Sequence, residues 1–498
     1  MEPKWLNEGP GQKSLLREKR ERPIRVCRDV YGGTLHLQDL AGTYLPQFPK
    51  EDDEVYAQRV KAAVLFNAYR RTVGGLVGMV MRKQPKLEGV PKEVEGHFED
   101  IDLAGRNLTA FADDASDEAW VDGHSVIFVD KPPVPEGWTK DQAAHLRPYW
   151  VLIRADDILG ASTERRDGVD VVTRLRWREE TVEVDPKDEF KEVAVPRVRE
   201  YRLVSAKKEG SEEIQNRVEW RTWELRRSEK NELRWVPGEG GFLGPQMDEI
   251  PIGVIYTNRE GVLDSEPPLL DLATENLRHF RKLSDKDNSE HIGCVPIFTT
   301  IGAPEDDIKG FSIGPTIGLA LPQGADAKYV ETSGSGSSVN RESLKDSEHR
   351  MALLGLSTLH PDPKWGVTAT ASRIDKSESD SQLGAFVLSL EHALNTAKRL
   401  HLKWMGIEDT GKIIINRDFE ALRMDAQTVL ALADLVPAKM SLETFWGLMQ
   451  QGGILPDTFD PERERERLES VDMDDLAQLM KKLKGRVDPD DVDEDVEE

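Results

Sequence analysis

Cysteine is nearly absent. Cys27 and Cys294 are the two in 498 residues, far apart, with no CxxC pair and no Cys/His cluster around either. That excludes a disulfide scaffold and a structural zinc site, and it fits a reducing compartment. Long hydrophobic runs are missing too. The longest, TVGGLVGMVM (72–81), is about half of what a membrane-spanning helix needs. The start, MEPKWLNEGPGQKSLLREKRERP, carries no apolar core of signal-peptide length. A soluble, intracellular protein with no membrane contact is expected. Positive charge is in deficit: 67 Lys and Arg stand against 92 Asp and Glu, a net of −25. Such a chain is a poor grip for nucleic acid, because phosphate binding draws on clustered basic residues. It suits a surface that nucleic acid must pass without sticking.

Catalytic patterns are also lacking. No GxSxG elbow, HExxH, phosphate-binding P-loop or dinucleotide fingerprint after a strand occurs. The ten histidines are scattered. His279 and His291 fall on one expected helix, twelve residues apart, and His360 with Asp362 offers too few ligands for a metal. Acidic pairs such as 51–53, 113–114, 305–307 and 472–475 read as solvated faces or helix starts. GSGSS (334–338) reads as a flexible joint, since no lysine follows where a phosphate cradle needs one. No catalytic residue, metal or cofactor is indicated.

What is present is a long, wet chain, 38% apolar and 32% charged, with room for two or three domains. The first fifty residues, rich in Gly and Pro, read as an arm with little regular structure. A long helix is expected over about 50–85, acidic at its start and basic at its end, with Val55, Val60, Val64, Leu65, Tyr69, Val73, Leu76 and Val80 at helical spacing. Gly74, Gly75 and Gly78 near its end suggest close helix packing or a kink. A second helix is expected over 94–120, then a strand at HSVIFVD (124–130). Residues 148–257 alternate in short strands and hold Trp150, Trp177, Trp220, Trp223 and Trp235, expected as half-buried sheet residues rather than a base-stacking platform.

A helix follows at 264–292, with Ser265 as its cap and Leu269, Ala273, Leu277 and Phe280 on one face. Next come a Gly/Pro-punctuated segment with β-prone pieces (293–338), a helix at 339–359, and the stretch HPDPKWGVTAT (360–370). Then TATASRID restarts the chain, with Ser372 and Asp375 in a capping-box arrangement. The longest helix runs from 371 to about 405, its stripe being Leu383, Val387, Leu390, Leu394, Ala397, His401 and Trp404. At about 1.5 Å per residue it spans on the order of 50 Å. A short strand (GKIIINRDF), helices at 425–436, 441–452 and 461–485, and an acidic tail (486–498) complete the chain.

This order, together with YLPQFPKEDDEVYAQRVKAAVLFNAYRRTVGGLVGMVMRKQP (44–85), EIPIGVIYTN with PPLLDLATENLRHFRKLSD (249–285), TATASRIDKSESDSQLGAFVLSLEHALNTAKRLHLKWMGI (368–407) and GGILPDTFDPERERERLE (452–469), resembles the portal proteins of tailed bacteriophages. The likeness is to a subfamily usually described only as an uncharacterised domain, and it spans about 44–470. It implies an α+β portal fold: an arm (1–43), an α/β wing (44–258), a first stem helix (259–292), a small β-containing clip (293–338) and a second stem helix (339–359). A tunnel loop (360–370), the long wing helix with its short strand (371–424), a short helical crown (425–485) and a disordered acidic tail (486–498) follow. The short C-terminus departs from the pattern and implies a small crown without a long barrel.

The resemblance further implies a homo-oligomeric ring, typically a dodecamer, at one capsid vertex. Double-stranded DNA passes through it non-specifically. Its partners would be the terminase large subunit, the major capsid protein and a head–tail adaptor, and its place the virion, after assembly in the bacterial cytoplasm. The tunnel loop would be His360, Pro361, Asp362, Pro363, Lys364, Trp365, Gly366, Val367 and Thr368, with Lys345, Arg350 and Lys364 as lumen charges. Ordinary surface charges or intersubunit ion pairs are the plain alternative for those three, and packing rather than DNA contact the plain role for Trp365. Another head–tail adaptor, or a carboxylate hydrolase in the β-rich block, are the rival functions.

Overall fold

A computed structural model describes residues 8–132, 137, 139, 146–185, 188–207, 214–228, 232–293, 297–302, 323–330, 335–355, 369–417, 432–434, 436, 440–451, 454–455 and 459–469, with backbone alone at 206–207, 214, 292–293, 297–298, 300, 335–338, 369–381, 451 and 468–469. Along the chain run helices α1 (Leu15–Asp39), α2 (Asp53–Ala62) and α3 (Ala68–Val80), strand β1 (Lys86–Glu88), helix α4 (Leu108–Asp122) and strands β2 (His124–Asp130) and β3 (Tyr149–Arg154). Strands β4 (Ile158–Arg166), β5 (Val169–Asp185), β6 (Asp188–Lys207), β7 (Ile214–Arg227), β8 (Leu233–Phe242), β9 (Ile252–Tyr256), β10 (Arg259–Gly261) and β11 (Asp264–Ser265) follow. Then come α5 (Leu270–Gly293), the pair β12 (Ile297–Ile301) and β13 (Asp326–Val330), α6 (Ser335–Leu354), α7 (Ala369–Met405) and β14 (Lys412–Ile414). The mixed helix-and-sheet class expected from the sequence is what is found.

The core lies between two antiparallel sheets. In the order β3-β2-β9, strand β2 pairs on both sides, and every residue from His124 to Val129 is buried. Its two faces follow from strand alternation. On one, the Ser125 hydroxyl bonds the Ala115 carbonyl of α4 at 2.7 Å, and Trp120 of α4 meets Phe386 of α7 with ring centres 5.2 Å apart. On the other, Phe128 meets Trp177 and Tyr201 of the second sheet, β4-β5-β6-β7-β8, at 5.2 and 4.6 Å. The layers are therefore helices, small sheet, large sheet. The tryptophans behave as sheet residues: Trp150 and Trp177 are buried, Trp220, Trp223 and Trp235 half-buried.

The long-helix stripe is buried at every expected position, Leu383, Val387, Leu390, Leu394, Ala397, His401 and Trp404. Gly253 of β9 lets α7 approach backbone to backbone, since a Cβ there would sit 2.5 Å from the Ala393 carbonyl oxygen. The Lys398 ammonium, also buried, is satisfied by Asp409 (2.6 Å) and the carbonyls of Thr410 and Gly411. That anchors the turn leading to β14, which pairs with β1.

Several expectations are corrected. The N-terminal segment is not an irregular arm. Ser14 caps α1 by accepting from Arg17 N, and Ile24, Cys27, Val30 and Leu37 bury one stripe despite Pro23 and a break at Gly33 (φ 86°). Its Gly and Pro content masked a helix that also carries ion pairs to Asp156, Asp264 and Asp122. The single helix over 50–85 is two, because residues 63–67 leave the helix where Asn67 caps α3. Val55 and Val64 consequently face outward, while Leu65, Tyr69, Val73, Leu76 and Val80 are core. Gly74 and Gly78 have open space where a Cβ would go, so close packing does not explain them. The helix over 94–120 is broken at 100–107, and Asn107 begins α4 anew. Ser265 is no helix cap: it lies in β11, where its hydroxyl meets His124 Nδ1. The 334–338 joint is, from Ser335, the first turn of α6.

The chain divides at residue 417 into two compact units. In the second, α8 (Leu442–Gln451) buries Trp446 and Met449, and Trp446 packs edge-on to Phe459 ahead of α9 (Pro461–Glu469). Most of the expected helix at 425–436, the 470–485 part of the last helix and the acidic tail lie outside the described residues.

Gly253→Ala should destabilise the first unit by roughly 1–3 kcal/mol through overpacking against Ala393, read as a lower urea midpoint with an unchanged slope.

Candidate functional site: a paired-helix element

Helices α5 and α6 lie side by side, and the antiparallel strand pair β12–β13 falls between them in the chain. Leu272, Ala273, Leu277 and Phe280 of α5 and Leu344 and Met351 of α6 bury their apolar faces. Gly355, ending α6, sits where a Cβ would strike Leu272 and Thr72.

Polar contacts set the direction of the pair. Glu275 Oε1 accepts from Arg350 Nε at 3.1 Å, His279 Nε2 lies 3.5 Å from Glu348 Oε1, and Lys282 Nζ donates to Ser343 Oγ (2.7 Å), its carbonyl (3.2 Å) and Ser347 Oγ (3.2 Å). As α5 numbers rise, α6 numbers fall, so the helices are antiparallel. Asn276 ties the pair to the preceding helices, taking Tyr69 N on its oxygen and giving its amide to the Phe66 carbonyl.

Two titrating groups in this interface are held off their ordinary values. Burial pushes the His279 imidazole below 6.5, opposed by Glu348. Lys282 is lowered, first by desolvation and then by Arg278 and Arg350. His279 is almost fully buried beside the Phe66 ring, and neither ring nitrogen has a hydrogen-bond partner among the described residues.

Of the candidate lumen charges, Arg350 is half-exposed and paired with Glu275 inside the same chain, and Lys345 is exposed on α6. The tunnel-loop residues His360, Pro361, Asp362, Pro363, Lys364, Trp365, Gly366, Val367 and Thr368 lie outside the described residues. In the sequence alone, His279 is noted only as a scattered histidine on this helix, and Lys282 is not singled out. Their signal was that both fall on the apolar side of α5, between Leu277 and Phe280 or just beyond.

The one Ser–His contact nearby is sealed. Ser265 Oγ and His124 Nδ1 are 2.7 Å apart, both residues are buried, and burial pushes the imidazole down to about 4. It fixes the β11 turn against Gly123, whose φ of 93° and missing Cβ leave room for Ser265. Among the described residues, no cluster of three or more His, Cys, Asp or Glu could hold a metal, and no helix is long and apolar enough to cross a membrane.

Residues 268–405, which hold this helix pair and α7, match the family model "Domain of unknown function (DUF4055)". That agrees with the likeness to a subfamily described only as an uncharacterised domain. No curated protein matches the chain. Among solved structures it is similar to a chain in the neck of a native gene transfer agent particle computed with C12 symmetry: 10% identity, TM-score 0.39, covering 77% of this chain and 89% of that one. A chain in the native gene transfer agent virion gives 10% identity and TM-score 0.37, over 78% and 87%. One in the neck of an empty particle computed with C6 symmetry gives 12% and 0.37, over 81% and 90%.

His279 works against stability in acid. Its folded value lies below the unfolded 6.5, so the unfolded chain binds the extra proton, and the stability of the neutral form, complete above pH 6.5, is lost as pH falls. His279→Leu should flatten the decline in urea stability between about pH 6.5 and pH 5; an unchanged slope would remove His279 from the acid response.

Proposed function

We propose that this chain is a portal subunit: one member of a ring at a single capsid vertex, through which double-stranded DNA is packaged and later ejected. The ring would dock the terminase and afterwards the tail connector, and would contact the major capsid protein and a head–tail adaptor within the virion. Its role is structural rather than enzymatic.

The observation that carries this reading is the antiparallel pair α5 and α6, between which the paired strands β12 and β13 fall in the chain, followed by the long, core-packed α7. The resemblance to tailed-phage portals calls for a stem helix, clip, second stem helix and long wing helix in that order. The layered α/β part before it is in keeping with a wing.

The charge balance supports the same reading. A channel that passes DNA must break each phosphate contact at every step, and tight Lys or Arg grips would stall it. The outward side of α6 mixes Arg341, Glu342, Lys345, Asp346 and Glu348 rather than presenting a basic stripe. In the ring, Lys345 and Arg350 would be sparse guide points, with Lys364 in the loop as a third.

Negative-stain images of the purified protein should show rings with a central channel, and a monodisperse monomer under all conditions would sink the proposal. Deleting residues 361–367 should leave ring assembly intact while impairing DNA packaging or retention. Loss of assembly would make that segment a structural link.

A further inference from the structure

We propose that the large sheet carries a second, separate nucleic-acid contact: the face turned away from the core binds a phosphate backbone. On the inner face, Leu175, Tyr201 and Trp220 form one row across β5, β6 and β7, with Trp177 stacked on Tyr201. Strand alternation therefore sends the neighbouring even positions of β5 and β6 outward. There, Arg174, Arg202 and Glu219 form one cross-strand row, and Arg176, Glu200 and Arg221 the next. Arg217 stands beyond the first row on the same face of β7, opposite Val204. In this patch five arginines stand with two glutamates, a local positive excess on a chain whose net charge is −25.

The two glutamates do not cancel the patch. Glu200 is buried beneath the guanidinium groups, accepting from Arg174 Nε at 2.5 Å and Arg202 Nε at 3.0 Å, and so acts as a post that holds the heads upright. Glu219 pairs with Arg221. Arg176 donates to the main-chain carbonyls of Pro10 and Gln12, without a carboxylate. Arg217 sits over the Phe242 ring at 4.4 Å, and its Nε has no hydrogen-bond partner among the described residues. Arg174, Arg202 and Arg221 keep 40%, 39% and 47% of their side chains exposed, so the patch is open to solvent.

The chemistry favours a polynucleotide. Opposed residues on adjacent strands stand about 5 Å apart, and same-face residues along a strand about 7 Å apart. That regular lattice of planar forks suits repeated phosphates, which guanidinium takes two-pronged. Phe242, 48% exposed at the rim, adds a ring on which a base can stack. An acidic protein segment would satisfy the charges but would have no use for that ring.

The test uses the full-length chain and a relaxed, covalently closed circular duplex, which cannot thread a closed channel and so reports the outer surface. Binding is followed by gel shift from about 50 to 200 mM salt. Arg176→Gln/Arg217→Gln/Arg221→Gln leaves the Glu200 post intact. It should weaken binding at least tenfold and lower the salt slope by about two to three, at roughly 0.9 per lost contact. The far-ultraviolet spectrum should be unchanged, and Lys61→Gln on exposed α2 should bind as the parent does. The proposal is overturned if the parent does not bind at about 50 mM salt, or if the triple variant binds like the parent. It is equally overturned if poly-glutamate competes as well as DNA at matched charge, which would assign the face to an acidic protein. Ring formation, read separately by negative stain, is unaffected by any of these outcomes.

Discussion

Asp122 is the constraint on which the first unit depends. It ends α4 in a fully buried position, and burial pushes its carboxyl up to about 7, against the pull of Arg28. The fold supplies compensation from two sides, Arg28 of α1 at 2.7 Å and the Asp156 backbone N–H at 3.0 Å, while Glu118 competes for the same guanidinium. Two further arginines of α1 repeat the device, Arg17 on Asp156 and Arg20 on Asp264 and Glu260. One helix is thereby bonded to α4, to the turn after β3 and to the β10–β11 turn. Removing one partner of such a buried pair typically costs about 3–5 kcal/mol, because the other charge is left stranded. The N-terminal helix is thus held by charges that would be wasted on a solvent-facing arm.

The same logic separates what was legible in the sequence from what was not. The stripe of α7 could be read because seven apolar or aromatic positions recur at helical spacing and all are buried. Strands β2 to β9 could be read from alternation and turn residues. The arm could not. A helix that buries Arg17 and Arg20 and half-buries Arg28 has a polar composition by any count, and nothing local reveals that their carboxylate partners lie about 90 to 240 residues away. Ser265 failed for a related reason: a hydroxyl followed by two prolines looks like a cap until His124 claims it from across the core.

The functional reading shows a different boundary. Antiparallel pairing of α5 and α6 depends on Lys282 finding serine oxygens and Arg350 finding Glu275, contacts that need both helices in place. Sequence order indicates two helices flanking a β segment, and only the geometry shows that they are knitted together. Similarly, tryptophans draw the eye along the β-rich block, yet Trp150 and Trp177 are core and the others only half-buried. Arg174, Arg176, Arg202, Arg217 and Arg221, unremarkable one by one in a chain with 67 basic residues, fall on one face once the strand register is fixed.

The seating of α7 on Gly253 has a mechanical consequence. Most helices ride on a sheet through interdigitated side chains, and small shifts are absorbed by rotamer changes. Here the Ala393 carbonyl rests against bare backbone, with no side chain between to give way. The contact behaves as a keyed joint: a push along the helix axis passes into β9 and β2 without slip. A load applied at either end of a 37-residue rod would be felt by the small sheet as a whole.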